Sequence, residues 1–220
     1  KGGDLVSTND GKLLLVKRGV GVPSEVYDIT SGVAVHVYDV SKGINGAALT
    51  LEGGTIMSEG NGSSNFHLYD ADGNSLGILS AIYDNGNKFK IYDGDMASRC
   101  ASYEVVEECG NYKYYYIGHA SSAYAAGTVF GGEIVDDHFV LTELFNAGNS
   151  GHIAFNEDSG EIYVVHNDGL KIKTFDVNGN LLNTASISGL TQAYALVWHK
   201  ADGQLYVGSA NKQKVYTLDP

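Results

Sequence analysis

Six polar residues stand where a strand-like segment ends and a polar loop begins, and their side chains could together bind a ligand. They supply a cation, a carboxylate, imidazoles and amides, namely Arg18, Glu59, His119, His166, Asn167 and Asn211. Imidazole nitrogens and carboxylate oxygens are donors that divalent metals accept, so Glu59, His119 and His166 are also candidate metal ligands. The alternative is that they are ordinary polar loop residues. The choice depends on whether the fold brings them together.

Motifs of the common enzyme and cofactor classes are absent from the sequence. There is no Gly-Lys-Ser/Thr phosphate loop, no His-Glu-x-x-His and no Cys-x-x-Cys. The turn Asp72-Gly73-Asn74 resembles half of a calcium loop, but the bidentate Glu of an EF-hand does not follow, so we interpret it as a turn. The sequence predicts no cofactor, leaves a divalent cation such as calcium open, and favours a protein that is not an enzyme.

The balance of charge argues against nucleic acid as a partner. Lys plus Arg total 14 and Asp plus Glu total 26, which gives a net charge of −12. A surface of that sign repels phosphate backbones and anionic lipid headgroups. Because the sequence has no run of about 18 apolar residues, it also predicts no membrane insertion. Proteins and glycans remain as partners.

The two cysteines, Cys100 and Cys109, are separated by eight residues. This spacing fits a disulfide across a short hairpin, and disulfides persist in oxidising compartments. We therefore expect a secreted, periplasmic or cell-surface protein. Two unpaired thiols in a cytosolic protein are the alternative.

An internal repeat organises the second half of the chain. Ile153–His166 and Leu196–Ser209 align without gaps, and each contains a strand, a polar turn that ends in Gly, and a second strand. The turn glycines Gly160 and Gly203 lie 43 residues apart. This is the pattern of a β-hairpin. A strand end followed by Asp recurs along the chain, at Asp28, Asp70, Asp136, Asp176 and Asp219.

Each repeat holds about four short strands in about 42 residues, which is the size of a propeller blade. No helical period runs at length through the sequence. The segment Asn87–Asp93 also ends in Tyr-Asp and marks a candidate short blade. The sequence therefore predicts an all-β fold, a β-propeller of five or six four-stranded antiparallel blades, in which residues 1–220 form a single domain.

The two late units, Ile153–Asp176 and Leu196–Asp219, resemble the NHL-like and YncE-like propellers of secreted and periplasmic bacterial proteins. This resemblance implies an architecture and no particular activity. It also implies that the loop after the second strand of each blade opens near the axis on one face. The six polar residues would then meet at one mouth.

Equivalent aromatic residues in the late units predict a core between sheets. Phe155 matches Trp198 and Tyr163 matches Tyr206, so we expect all four side chains to be mostly buried. The alternation around His67 predicts that this imidazole points away from the apolar face.

The last unit contains one strand fewer than its neighbour. It holds Leu196–His199, Gln204–Gly208 and Lys214–Leu218, and the N-terminal stretch Asp4–Ser7 is already required as the first strand of the first blade. Because native proteins normally protect an uncovered strand edge, we expect the sequence to be a fragment of a longer secreted protein.

These features together favour a non-catalytic extracellular or cell-surface module for binding or adhesion, in which the loops of one face hold a glycan or a protein. A structural subunit of a surface array or filament is one alternative. A metal-assisted propeller hydrolase is the other.

We predict that Cys100 and Cys109 are bonded to each other. Alkylation of the denatured, unreduced protein should leave both cysteines unmodified, whereas reduction before alkylation should allow both to react, as measured by intact mass. Alkylation of both without reduction would contradict the bond, as would Cα atoms more than about 7 Å apart.

Overall fold

A computed structural model describes most of the chain, namely residues 3–18, 22–60, 62–92, 94–99, 113–119, 124–149, 151–166, 171–209 and 214–218. Within these ranges the chain forms 19 β-strands and no helix. None of the described residues therefore belongs to a helix long and apolar enough to cross a membrane. The all-β class predicted from the sequence is confirmed.

The strands form four sheets. The first contains β1 (Gly3–Ser7), β2 (Leu13–Lys17), β3 (Ser24–Asp28) and β4 (Val35–Val40). The second has eight strands, β5 (Ile44–Leu49), β6 (Thr55–Glu59), β7 (Asn65–Tyr69), β8 (Ser75–Tyr83), β9 (Gly94–Ser98), β10 (Tyr114–Gly118), β11 (Thr128–Val135) and β12 (His138–Asn146). The third contains β13 (Gly151–Asn156), β14 (Glu161–His166), β15 (Lys171–Phe175) and β16 (Leu181–Ser186), and the last contains β17 (Ala195–His199), β18 (Gln204–Ser209) and β19 (Lys214–Leu218).

Glycine and aspartate build the turns of the repeat. Gly160 and Gly203 have φ angles of 71° and 68°, a left-handed conformation that residues with a side chain rarely adopt. After the third strands, Oδ1 of Asp70 and of Asp176 each accepts two backbone N–H bonds at 2.8 to 3.0 Å. The recurring Asp is therefore a turn-forming residue, in line with its interpretation as turn chemistry.

The eight-stranded sheet consists of two four-strand groups that join at their outer strands. β8 and β12 pair in parallel, whereas neighbouring strands within each group pair antiparallel. Residues 84–92 turn back against β8 and bury Phe89 and Ile91 completely. The candidate short blade at Asn87–Asp93, described as far as Tyr92, is therefore wrong, because its apolar side chains fill the space between the two groups.

The first strands of the groups lie side by side around a centre. Among the described residues β1, β5, β9, β13 and β17 each contact the next in this order, and β17 contacts β1. Each pairs on one edge with the second strand of its own group. The fold is therefore propeller-like.

The core lies between neighbouring groups. Its most aromatic part separates the two groups of the eight-stranded sheet and includes Phe66, Phe89, Tyr116, Phe130 and Phe139. The smallest cluster closes the ring between the last sheet and the first, where the buried members are Leu5, Leu13 and Ala195. The ring therefore closes through the junction with the least apolar packing.

The aromatic residues of the late repeats mostly occupy the predicted places. Phe155, Tyr163 and Trp198 are buried, and the rings of Tyr163 and Trp198 stack at 6.3 Å. Tyr206 is only half-buried, because its hydroxyl reaches the exposed carboxylate of Asp202. The last sheet has the three predicted strands, β1 pairs with β2 as predicted, and no described strand covers the second edge of β19.

Trp198→Ala should lower the free energy of unfolding by about 3–5 kcal/mol, because it removes a buried ring from the cluster between the last two sheets. Denaturation by urea measures this loss. Leu181→Ala is the control, since Leu181 is 55% exposed on β16 and its removal should change stability by no more than about 0.5 kcal/mol. Equal stability of the two variants would contradict the packing.

Candidate functional site

A cavity of about 270 Å³ lies at the axis, where the first strands begin. We call it the upper cavity. Residues from all four sheets or their adjoining loops line it: Gly3, Arg18, Asn45, Gly94, His119, Gly151, His152, Gln192, Ala193 and Tyr194. Among the described residues of this lining Arg18 is the one permanently charged residue, and none of them carries a carboxylate. A protein with a net charge of −12 therefore has a cavity with a basic lining.

Close packing of strands requires small residues at the rim of the upper cavity. Gly3, Gly94 and Gly151 are the first residues of β1, β9 and β13. A Cβ atom at Gly3 or Gly151 would clash with a carbonyl of the paired second strand, and one at Gly94 would clash with the hydroxyl of Tyr116. Glycine at these positions brings the strands together and leaves polar loop residues to form the lining.

The structure brings together two of the six residues singled out in the sequence. Arg18 and His119 directly follow the second strands β2 and β10, and both line the upper cavity. Glu59 and His166 stand one position earlier, as the last residues of β6 and β14, and neither belongs to the lining. Asn167 and Asn211 lie outside the described residues.

Glu59 is held by its own hairpin. Its Oε2 accepts hydrogen bonds from Ser63 Oγ at 3.3 Å and Asn65 Nδ2 at 3.2 Å, and lies 3.1 Å from Nε2 of His67. Burial would raise the pKa of Glu59, but the hydrogen bonds from His67 and Asn65 outweigh it and leave the pKa below its ordinary value. The outward direction predicted for His67 is wrong, because its imidazole is buried where it meets Glu59.

A metal held jointly by Glu59, His119 and His166 does not fit this arrangement. In the part of the chain that the structure describes, no three His, Cys, Asp or Glu side chains gather closely enough to hold a metal ion. Glu59 is instead engaged with His67.

One layer below the upper cavity, the first strands carry a set of equivalent residues. Each pairs with the next-to-last residue of its second strand, and the set is Asp4, Gly46, Asp95, His152 and Ala195. Asp4 and Asp95 are almost completely buried. The axis is therefore closed at this level by a layer that contains two carboxyl groups.

Each carboxyl group of this layer reaches the first strand of the next group. Oδ2 of Asp4 accepts the backbone N–H of Ala47 at 2.5 Å. Oδ2 of Asp95 accepts the backbone N–H of Ile153 at 3.0 Å and lies 3.2 Å from Nδ1 of His152. The two aspartates thus connect β1 to β5 and β9 to β13.

The same two carboxyl groups also meet each other. Gly46 lies between them in the layer, and a Cβ atom there would clash with the backbone of Asp95. Burial, and then the charge and hydrogen bond of Asp95, raise the pKa of Asp4 well above its ordinary value. Two close, buried carboxyl groups resist ionising together, so Asp4 keeps its proton to a higher pH than an ordinary Asp does.

A short sequence repeat could have revealed this layer. Gly3-Asp4-Leu5-Val6-Ser7 and Gly94-Asp95-Met96-Ala97-Ser98 match in their Gly, Asp and Ser positions. The match shows that two first strands share a polar residue where the axis is narrowest. The interpretation based on hairpins and third-strand ends did not include it.

Comparison with protein-family models and with curated sequences gives no match. Among solved structures, a gluconolactonase from Xanthomonas campestris is 16% identical, with a TM-score of 0.62 over 99% of this chain and 72% of its own. A protein of unknown function from Bacteroides caccae is 13% identical, with a TM-score of 0.55 over 96% of this chain and 72% of its own. A protein of unknown function from Bacteroides thetaiotaomicron is 14% identical, with a TM-score of 0.52 over 94% of this chain and 56% of its own. At these identities the likeness shows a shared propeller-like fold and no activity.

Asp4→Asn should change how stability depends on pH. The raised pKa of Asp4 means that its stabilising effect is complete below about pH 4, the ordinary range for Asp, and is lost as the pH rises through the folded-state value. The variant has no titratable group at this position. Wild-type protein should therefore lose stability relative to the variant as the pH rises from about 4 to 8, whatever constant offset the amide introduces.

Asp176→Asn is the control for this experiment. The side-chain hydrogen bond from Asn180 lowers the pKa of Asp176, so this carboxylate stabilises the fold at neutral pH and less so on acidification. Because this loss falls at and below the ordinary range for Asp, the control should differ from the wild type by a nearly constant amount from about pH 5 to 8, measured as midpoints of thermal unfolding, and the wild type should lose its advantage only on further acidification. A constant difference between Asp4→Asn and the wild type would contradict the protonated pair.

Proposed function

We propose that the protein is a five-bladed β-propeller and an extracellular binding module whose upper cavity holds one sugar unit of a glycan without catalysing a reaction on it. Five blades are supported by the ring of contacts among β1, β5, β9, β13 and β17. The main observation in support of this function is that an acidic protein has an axial cavity with a polar, basic lining.

The upper cavity suits a small polyhydroxylated ligand. Its volume of about 270 Å³ lies near the lower end of ligand pockets, so it accommodates a single ring rather than a chain. The side chains of Asn45, His152 and Gln192 offer hydrogen-bond donors and acceptors to hydroxyl groups. Tyr194 adds a flat apolar surface with a polar tip.

Asn45 provides a further argument for a ligand. Its side chain is 8% exposed, and its Nδ2 lies 3.5 Å from the carbonyl oxygen of Tyr92. Its Oδ1 has no hydrogen-bond partner among the described residues. A buried acceptor without a donor is costly, and a small rotation of the amide would let a ligand hydroxyl satisfy it.

The charge of the lining favours an acidic sugar. Arg18 is the permanent cation among the described residues of the lining, and none of those residues carries a carboxylate. Hydrogen bonds between a guanidinium group and a carboxylate are among the strongest in proteins. A sugar that bears a carboxylate should therefore bind more tightly than its neutral or amino counterpart.

A location outside the cytoplasm, as a secreted, periplasmic or cell-surface protein, belongs to the same proposal. It rests on the predicted bond between Cys100 and Cys109, which lie outside the described residues. It also agrees with a glycan as the ligand, since extracellular surfaces carry such chains.

Calorimetric titration with glucuronic acid, glucose and glucosamine tests the proposal. Affinity should decrease in that order. Arg18→Ala should lower the affinity for glucuronic acid by about tenfold or more, so that glucuronic acid no longer binds more tightly than glucose. Lys12→Ala is the control, because Lys12 is an exposed cation outside the upper cavity that pairs with Asp10 at 2.6 Å. Absence of binding by all three sugars, or an equal response of both variants, would refute the proposed site.

A further inference from the structure

A second axial cavity of about 160 Å³ lies at the opposite end of the first strands. We call it the lower cavity. Its wall includes apolar side chains from every first strand, among them Leu5, Ala47, Met96, Ile153 and Leu196. No residue lines both cavities. The lower cavity is therefore a separate space with largely apolar walls, which the ion pair between Lys200 and Glu157 at 3.2 Å also lines and which the proposed glycan site does not use.

Ser7 lines the lower cavity and contacts a buried imidazole. Its Oγ lies 2.8 Å from Nδ1 of His199, which is 6% exposed. The edge of the His199 ring meets Tyr206 at 5.5 Å and 89°, and Tyr206 donates to Asp202 at 2.6 Å. That hydrogen bond raises the pKa of Tyr206 to about 12, so its hydroxyl remains a donor and the ring stays in place. The imidazole is thus fixed with one nitrogen at the serine.

A hydrogen-bond donor without an acceptor lies in the same wall. Trp198 lines the lower cavity and is 9% exposed, and its Nε1 has no hydrogen-bond partner among the described residues. An unpaired buried N–H is costly, and an oxygen atom of a ligand would satisfy it. Ser7 and Trp198 therefore both line this space, and His199 adjoins it through its contact with Ser7.

We propose that Ser7 and His199 form a nucleophile–base pair that hydrolyses esters of short apolar acids in the lower cavity. Ser7 Oγ attacks the ester carbonyl while its proton passes to Nδ1 of His199, and a tetrahedral intermediate forms. The intermediate then expels the alcohol, which takes the proton from the imidazolium. Water, activated by the same imidazole, releases the acid and restores Ser7.

The chain contains its own matched control. Ser98 occupies the position of Ser7 in the matching Gly-Asp-x-x-Ser segment and lines the same cavity. Its hydroxyl donates to the backbone carbonyl of Leu49 at 2.5 Å and not to an imidazole. A hydroxyl bound to a carbonyl has no base to remove its proton, so Ser98 should be inert.

Hydrolysis of 4-nitrophenyl acetate and labelling by a fluorophosphonate test the proposal. The wild-type protein should release 4-nitrophenol and carry the phosphonyl group on the peptide that contains Ser7, as found by mass spectrometry. Ser7→Ala and His199→Ala should lower the rate by about a hundredfold or more, whereas Ser98→Ala should leave it unchanged. Labelling of the wild type does not depend on how well any variant folds.

Two results would overturn the proposal. One is a wild-type protein in which the label does not attach to Ser7. The other is a Ser7→Ala variant that hydrolyses the ester as fast as Ser98→Ala. Either result leaves sugar binding in the upper cavity unaffected, because none of these three residues lines that cavity.

Discussion

The inner edge of each first strand sets the central constraint of this fold. A first strand pairs with its second strand on one edge, while its other edge faces the crowded axis. A buried N–H left without a partner there costs about 1–3 kcal/mol. Asp4 and Asp95 meet this need, because their carboxyl groups accept the N–H groups of Ala47 and Ile153 on the next first strand. Side chains thus make the connections that no sheet hydrogen bond supplies, and the layer they form separates the two axial cavities.

The protonated pair also determines what the upper cavity can bind. Two ionised carboxylates beneath the cavity would repel an anion through a medium of low dielectric constant. The raised pKa of Asp4 keeps this carboxyl group neutral to a higher pH than an ordinary Asp, and His152 lies against the carboxyl group of Asp95. Arg18 is then the permanent charge among the described residues that line the cavity. An acidic protein can in this way present a site for an acidic sugar, which net charge alone argues against.

Local patterns in the sequence predicted the strands and turns, while the site depended on details of register. The hairpins around Gly160 and Gly203 and the Asp turns were predictable because neighbouring residues determine them. Arg18 and His119 follow their strands and line the upper cavity, but Glu59 lies one residue earlier in its unit, and a shift of one residue turns a strand side chain to the other face. The pairing of β8 with β12 depends on contacts distant in sequence, which no local pattern specifies.

The contact between Ser7 and His199 closes the ring where apolar packing is smallest, and closure alone would be a sufficient reason for a hydrogen bond. Ser98 shows that a hydrogen bond to a backbone carbonyl is enough to connect two neighbouring groups of strands, since its hydroxyl donates to the carbonyl of Leu49. Connecting the groups needs only a hydrogen-bond acceptor. The histidine at the closing junction is more than an acceptor, because an imidazole can also take up a proton, which a backbone carbonyl does not. The indole N–H of Trp198 is equally unnecessary for closure, since it has no partner among the described residues. The imidazole beside Ser7 and the unpaired indole N–H in the lining of the lower cavity are groups that packing does not require, and they are the physical reason to seek chemistry there.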